Sequence, residues 1–444
     1  MGMRQLVATI GAMLGLWPAA GMAQLVQPFL PVPTMPVQPL AIPATVEPPP
    51  GTTVITRPRP EIDAQGMRLG SFFFFPRGEL DASYNDNIFA TPRGTGAFIM
   101  TLAPSFDLLS NWDHDAVNFH GGGAFATYTS HSSENYNDAF ASADGRLDIS
   151  EGSKAYGGLQ ILKLHESRYS PNSPGAAAEP VRFMNYGGNL AYEQSGLRIG
   201  YRADFTLNRY EYEAPPRIGG GFVPQSDRNM TTPDLALRGS YEFAPNLQAY
   251  LRGEGNLRNY DHGASAAQPA RNSAGYRIDT GVHADLTGVT AADAYVGYLE
   301  QDYRSRVYST VRGIDFGAKL TWNPTTLDTV QLRIDRSVQD LNSGALPPGI
   351  TSSAYLETVA SATEDHELLR DLIISGNVSY INDKFSGINR TDNVYALGTG
   401  AKYFMNRYVY LGFSYSYAHR SSGGTQATTP YSDNILMLRL STQL

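Results

Sequence analysis

The chain has 444 residues, with 34 Lys and Arg against 42 Asp and Glu, and no Cys. A formal net charge of −8 argues against a nucleic-acid partner, and the missing thiols exclude a disulfide framework, thiolate metal sites and the acylated Cys of a lipoprotein. A mean hydropathy below zero excludes a helical membrane protein but suits a barrel with a wet lumen, as do 27 Tyr and 44 Gly.

Arg4 precedes a short apolar stretch, Leu6 to Trp17, and Gly21-Met22-Ala23 offers a small-x-small cleavage site before Gln24. Residues 1–23 are therefore expected to be a cleaved secretory signal peptide, too short to span a bilayer. Gln24 to Pro60 carries eleven Pro, including Pro48-Pro49-Pro50, and few charges. Residues 24–66 are expected to form a Pro-rich, disordered periplasmic leader, either inert or a docking segment for a periplasmic export partner.

From about Phe72 to Leu444 the chain switches between apolar and polar at every second position. In Leu197 to Asn208 the odd positions are apolar; in Ile314 to Trp322 the even ones are, with Asp315, Gly317, Lys319 and Thr321 between. Side chains alternate across a strand, so each run has one greasy and one polar face. Strands are expected near 71–83, 97–109, 115–127, 139–149, 154–165, 182–193, 197–210, 232–243 and 247–258. They continue near 275–286, 292–302, 310–322, 327–337, 353–363, 367–380, 393–404, 407–418 and 433–444.

The gaps between these runs are alternately short and long. Asn111-Trp112-Asp113, Glu151-Gly152-Ser153, Ala244-Pro245-Asn246 and Met405-Asn406 have turn chemistry. Asn85–Gly96, Ser170–Pro180, Ala214–Arg228, Asp261–Arg271 and Asn342–Thr351 are long and rich in Gly, Pro, Ser and Asn. The expected fold is all-β: a transmembrane, antiparallel, up-and-down β-barrel of about 18 strands with short periplasmic turns and long extracellular loops. A soluble propeller would need four short strands per repeat where two long ones stand. The expected location is the outer membrane of a Gram-negative cell, with lipid around the barrel. The last strand, with Leu436, Leu438, Leu440 and Leu444 on one face, resembles the signal read by the barrel-assembly machinery, Leu444 replacing the usual Phe.

Gly66-Met67-Arg68-Leu69-Gly70-Ser71-Phe72, followed by Pro76 and Tyr84-Asn85-Asp86-Asn87-Ile88-Phe89, resembles the start of the putative β-barrel porin 2 family. Leu102-Ala103-Pro104, Ser110-Asn111-Trp112-Asp113-His114 and Glu134-Asn135-Tyr136-Asn137-Asp138 extend the resemblance, which covers most of the chain after about Gly66. It implies an outer-membrane channel, hints at polysaccharide export, and supplies no catalytic residues.

The polar faces carry the expected pore-lining groups: Arg146, Arg198, Arg202, Asp204, Arg238, Arg252, Glu254, Arg277, Asp315, Lys319, Arg333 and Asp335. Both signs occur, often two positions apart on one face. That pattern suits cross-strand pairing that stiffens a wet wall, or a graded filter for polar solutes or a polysaccharide. Mixed signs argue against strong anion or cation selectivity. Tyr250, Tyr408 and Tyr410 fall on polar phases and could stack on sugars, although Tyr408 and Tyr410, near a turn, also suit an aromatic girdle. None of the eight His has metal spacing or sits beside a nucleophile turn, so neither a cofactor, a metal nor catalysis is expected. Asp86, Asn87 and Asp138 offer a weak Ca²⁺ motif that ordinary turn chemistry also explains. A plugged barrel displaying its loops, with a structural or adhesive role, is the competing expectation, and a barrel hydrolase a third.

Overall fold

A computed structural model describes residues 52–444 apart from 197, 262–268, 288, 343–345 and 347–349. The expected signal peptide, and the leader as far as residue 51, lie outside the described residues. The strands are β1 (Met67–Leu69), β2 (Phe72–Asn85), β3 (Ala97–Ser110), β4 (Ala116–Tyr128), β5 (Tyr136–Ser150) and β6 (Ser153–His165). Then come β7 (Arg182–Gln194), β8 (Ile199–Tyr212), β9 (Met230–Ala244), β10 (Leu247–Tyr260), β11 (Ser273–Thr287), β12 (Thr290–Tyr303) and β13 (Val311–Thr325). The series ends with β14 (Asp328–Asp340), β15 (Ala354–Leu369), β16 (Leu372–Phe385), β17 (Thr391–Phe404), β18 (Val409–Gly423) and β19 (Tyr431–Gln443).

From β2 onward each strand pairs antiparallel with the next, and β19 returns to β2 from Ile435↔Asn85 to Gln443↔Arg77. The result is a closed barrel of 18 strands, β2 to β19, which leaves no open edge within the wall. Short β1 pairs with β2 at Met67↔Phe74, on the length of β2 that β19 does not reach. Gly66 N, just before β1, donates to the Leu444 carbonyl, just after β19, beside this seam.

The alternation decides which face is which. Leu159, Leu190, Ile199 and Leu251 project outward, with Leu159 71% exposed, while Glu79, Asp81, Asp279 and Asp315 are buried on the opposite face. Apolar surface on this scale around the whole circumference fits hydrocarbon, and the closed ladder satisfies most backbone groups within the wall. No helix among the described residues is long and apolar enough to cross a membrane.

Two segments depart from a plain cylinder. β14 pairs with β13 only between Gly317↔Asp335 and Thr325↔Asp328, yet stays paired with β15 along its length. Above Asp335 the β14–β15 hairpin bends into the lumen. Val338, on the lipid phase of β14, is buried there against Leu299, Tyr303 and Val311. Arg336 marks the break, donating from Nη1 to the Ile314 carbonyl (3.2 Å).

The second departure corrects the disordered leader. Its last residues, 52–66, have defined structure at the short-turn end, the periplasmic end in barrels of this class. Val54 and Ile62 are buried with Ile373, Phe404 and Tyr410, all of which face the lumen. The physical reason is that this part of the leader carries apolar and cationic side chains that find partners inside the barrel. A smaller correction concerns the β15–β16 turn, expected near 364–366 and found at Arg370-Asp371. The polar run Glu364-Asp365-His366-Glu367 continues β15 because Asp365 and Glu367 point into the lumen.

Candidate functional site

The lumen wall is built from register. Glu193, Arg202, Arg238, Arg252 and Asp279 are direct partners on the adjacent strands β7 to β11. One inward position further toward the long loops lie Asp204, Ala236, Glu254 and Arg277; one toward the short turns lie Ser240, Tyr250, Gly281, Tyr295 and Gly317. From β8 to β10 the wall is thus layered: a Tyr-bearing row, then a row of three arginines, then a row of mixed charge.

Glycine makes the aromatic layer possible. Tyr250 and Tyr295 lie flat over the glycines paired with them on the next strand, and a Cβ on Gly281 or Gly317 would sit 2.4 or 2.5 Å from the ring above it. Each ring in turn supports a guanidinium: Arg238 lies 3.8 Å over Tyr250, and Arg252 4.6 Å over Tyr295. Arg202 sits more loosely, 5.5 Å over Tyr156.

The expected pore-lining residues divide by partner. Arg202 is held by Glu193 (2.8 Å) and Asp204 (2.6 Å), Arg252 by Asp279 (2.6 Å), and Arg333 by Asp335 (2.6 Å). Arg277 lies between Glu254 (3.8 Å) and the fully buried Asp315 (3.4 Å). Arg146 is clamped by Asp148 (2.9 Å) and the His114 carbonyl (2.6 Å). Lys319, on the inward phase of β13 opposite Arg333, is exposed. Arg198 lies in the β7–β8 turn, exposed, one residue before β8.

Of the tyrosines, Tyr250 faces the lumen and donates to Asp293 Oδ1 (2.9 Å). Tyr408 lies exposed in the turn. Tyr410 is buried inside the barrel, donates to Glu79 Oε1 (2.6 Å), and has Lys402 over its ring at 4.1 Å, so it is not a girdle residue. The weak Ca²⁺ motif does not come together. Asp86 accepts from Asn434 N (2.8 Å), Asn87 donates to the Ser432 carbonyl (2.7 Å), and Asp138 pairs with His165 (2.9 Å). His283 lies between Asp293 (3.4 Å) and Asp285 (3.6 Å). Among the described residues no three His, Asp or Glu are placed to hold a metal.

Two constrictions flank this belt. At the long-loop end, Asn172 Nδ2 donates to the Asp340 carbonyl (3.0 Å), while Asn342 N (2.6 Å) and Nδ2 (3.0 Å) donate back to Asn172. Arg258 on β10 donates to Asp340 Oδ1 (2.6 Å) and the Val338 carbonyl (2.8 Å), and Arg271 to the Leu341 carbonyl (3.0 Å). These bonds join β10 and the loop after β6 to the tip of the β14–β15 hairpin, so they cross the lumen. Beneath them Arg228 pairs with Glu166 (2.7 Å). Burial opposes the Arg228 charge, but Glu166 more than compensates and raises its pKa above the ordinary value.

At the short-turn end the chain before β1 supplies the obstruction. Arg57 and Arg59 share the Glu367 carboxylate, Arg59 at 2.9 Å. Val54 N donates to Thr329 Oγ1 (2.8 Å), Asn323 Nδ2 to the Thr52 carbonyl (2.8 Å), and Gln443 Nε2 to the Ile62 carbonyl (3.1 Å). Burial raises the Asp63 carboxyl above its usual range, against the pull of the Arg59 backbone N–H and charge. The only advance signal of this contact was that Arg57 and Arg59 are the sole cations between Gln24 and Pro60.

Solved structures that this chain resembles are distant in sequence. OccK2 (OpdF) of Pseudomonas aeruginosa matches with a TM-score of 0.45 and 11% identity over 85% of this chain and 99% of its own. OccAB4 of Acinetobacter baumannii gives 0.44 and 12% over 86% and 99%, and OccK11 (OpdR) of Pseudomonas aeruginosa 0.43 and 13% over 84% and 96%. No curated protein matches the chain in sequence. The family model described as putative beta-barrel porin 2 matches residues 59–444, the whole described barrel, and the chain belongs to that family of porin-like outer-membrane barrels.

Proposed function

We propose that the barrel is a passive conduit for polar solutes, and that hydroxylated polymers such as an exported polysaccharide are among the cargoes it suits. The observation that carries this is the largely polar phase of the inner wall. From β8 to β14 that phase holds paired charges; from β15 to β18 it holds Ser361, Thr363, Ser379, Ser414 and Ser416. Hydroxyls on one side and fixed charges on the other offer a solute exchangeable hydrogen bonds without a deep well, the condition for passage rather than retention. The two constrictions set the width, and the leader supplies the one at the periplasmic end.

The test is single-channel conductance of the refolded protein in planar bilayers, with residues 24–66 present and absent. Openings in both forms support the conduit, larger ones without the leader support its role as a constriction, and openings only without it point to relief by a periplasmic partner. Silence of both folded forms would overturn the conduit and favour a plugged barrel that displays its outer loops.

A further inference from the structure

We propose that Arg238 is the anchor of a carboxylate-binding subsite in the lumen, so that the cargo of this channel includes acidic, hydroxylated solutes. The inference deepens the conduit reading and rests on it for physiological meaning, but the site itself is defined by binding.

Three guanidinia, those of Arg202, Arg238 and Arg252, occupy directly paired positions on β8, β9 and β10. Like charges placed opposite each other across strands destabilise a sheet, so such a row needs compensation. The outer two receive it: Arg202 from Glu193 and Asp204, and Arg252 from Asp279. Arg238 has no direct counter-ion; Asp293 and Glu193 act on its charge only from beyond ion-pairing distance. Among the described residues it has no carboxylate within ion-pairing distance, and its recorded contact is the Tyr250 ring at 3.8 Å.

That ring is fixed from two sides. It lies on Gly281, where a Cβ would clash at 2.4 Å, and its hydroxyl is held by Asp293. Arg238 is therefore a guanidinium presented on a rigid aromatic platform, half-buried, on the lumen phase of β9. Stacking satisfies a guanidinium face and leaves the planar N–H fork, which matches a carboxylate in a bidentate pair. The flanking cations carry their own acids, which keep them from competing for the same ligand. The Asp293 and Glu193 carboxylates near the site accept hydrogen bonds, which suits a ligand that carries hydroxyls as well as the acid.

A carboxylate of this kind comes from either a small sugar acid or a uronate-bearing glycan. The experiment is calorimetric titration of the full refolded chain in detergent micelles with galacturonate, its linear trimer, and galactose. Galacturonate is expected to bind and galactose not, with Arg238→Gln weakening binding about tenfold or more and Arg238→Lys intermediate, since an ammonium keeps the charge but loses the fork. A markedly tighter trimer identifies a glycan chain as the source; equal affinity identifies the small acid. Absence of galacturonate binding to the wild type, or unchanged affinity in a folded Arg238→Gln barrel, would overturn the proposal. If Arg238→Gln fails to refold, Arg238→Lys with its heat-resistant mobility intact serves alone, and wild-type affinity in it overturns the bidentate site. Binding without conductance leaves the site and sinks the conduit; conductance without binding does the reverse.

Discussion

Replacing Glu367 by Ala should release the N-terminal constriction. The Glu367 carboxylate is shared by Arg57 and Arg59, and the Arg59 and Glu367 side chains are 8% and 9% exposed. Removing one partner of a buried pair strands the other charge and costs about 3–5 kcal/mol. Arg57 is 28% exposed and contributes little, which sets the expectation near the lower end, about 3 kcal/mol. At about 1.4 kcal/mol per factor of ten, the docked fraction should fall about a hundredfold relative to the open one. The chain has no Cys, so Val54→Cys introduces its only thiol, at a position 3% exposed when docked. Maleimide reacts with that thiol only when the segment leaves the barrel, so the labelling rate reports the opening equilibrium. The Glu367→Ala background should label about a hundredfold faster, up to the rate of the free thiol. Adding Arg59→Met should recover part of the loss, because the stranded cation is then gone. Equal labelling with and without Glu367, or free-thiol labelling in its presence, would refute an electrostatic latch.

Asn172→Ala and Asn342→Ala should each raise single-channel conductance, and the double variant should add little, because both break the same cross-lumen contact. Arg252→Met leaves the fully buried Asp279 side chain without its partner and should lower urea stability in lipid vesicles by about 3–5 kcal/mol. Arg333→Met, at a side chain 60% exposed, should cost under about 1 kcal/mol in the same assay. Leu159→Arg places a charge on the lipid face and should cost about 2–4 kcal/mol if that position lies near the bilayer midplane, measured by the same unfolding.

The barrel was legible because period-two alternation is a local property, and a wall with lipid on one side imposes it on every strand. Most strand boundaries fell within a few residues of their expected places, and Ile199, Tyr201, Phe205 and Leu207 all project outward as their phase requires. The β15–β16 turn was misplaced because Asp365 and Glu367 read as turn residues when their lumenal neighbours, which make them strand residues, are unknown. The constrictions were invisible for a related reason. Asn172 meets Asn342, and Arg59 meets Glu367, across separations of 170 and 308 residues, and no local pattern encodes such pairs. Composition also misled: Pro excludes regular pairing in the leader, but not attachment by Val54, Ile62 and two arginines.

The same logic limits what net charge can say about selectivity. Mixed signs along the lumen led to an expectation of weak discrimination, and a uniform dielectric tube with those charges would behave so. A register-built wall does not average its charges, because each sits at a fixed point and is cancelled, or left uncancelled, by its immediate neighbours. Where Arg202 and Arg252 have carboxylates at 2.6 Å and Arg238 has an aromatic face, the groups a solute meets differ from one position to the next whatever the total. Discrimination in such a channel is set by which member of a charged row lacks its counter-ion. That is a property of pairing register, and a one-residue slip of β9 would erase it by turning Arg238 to the lipid.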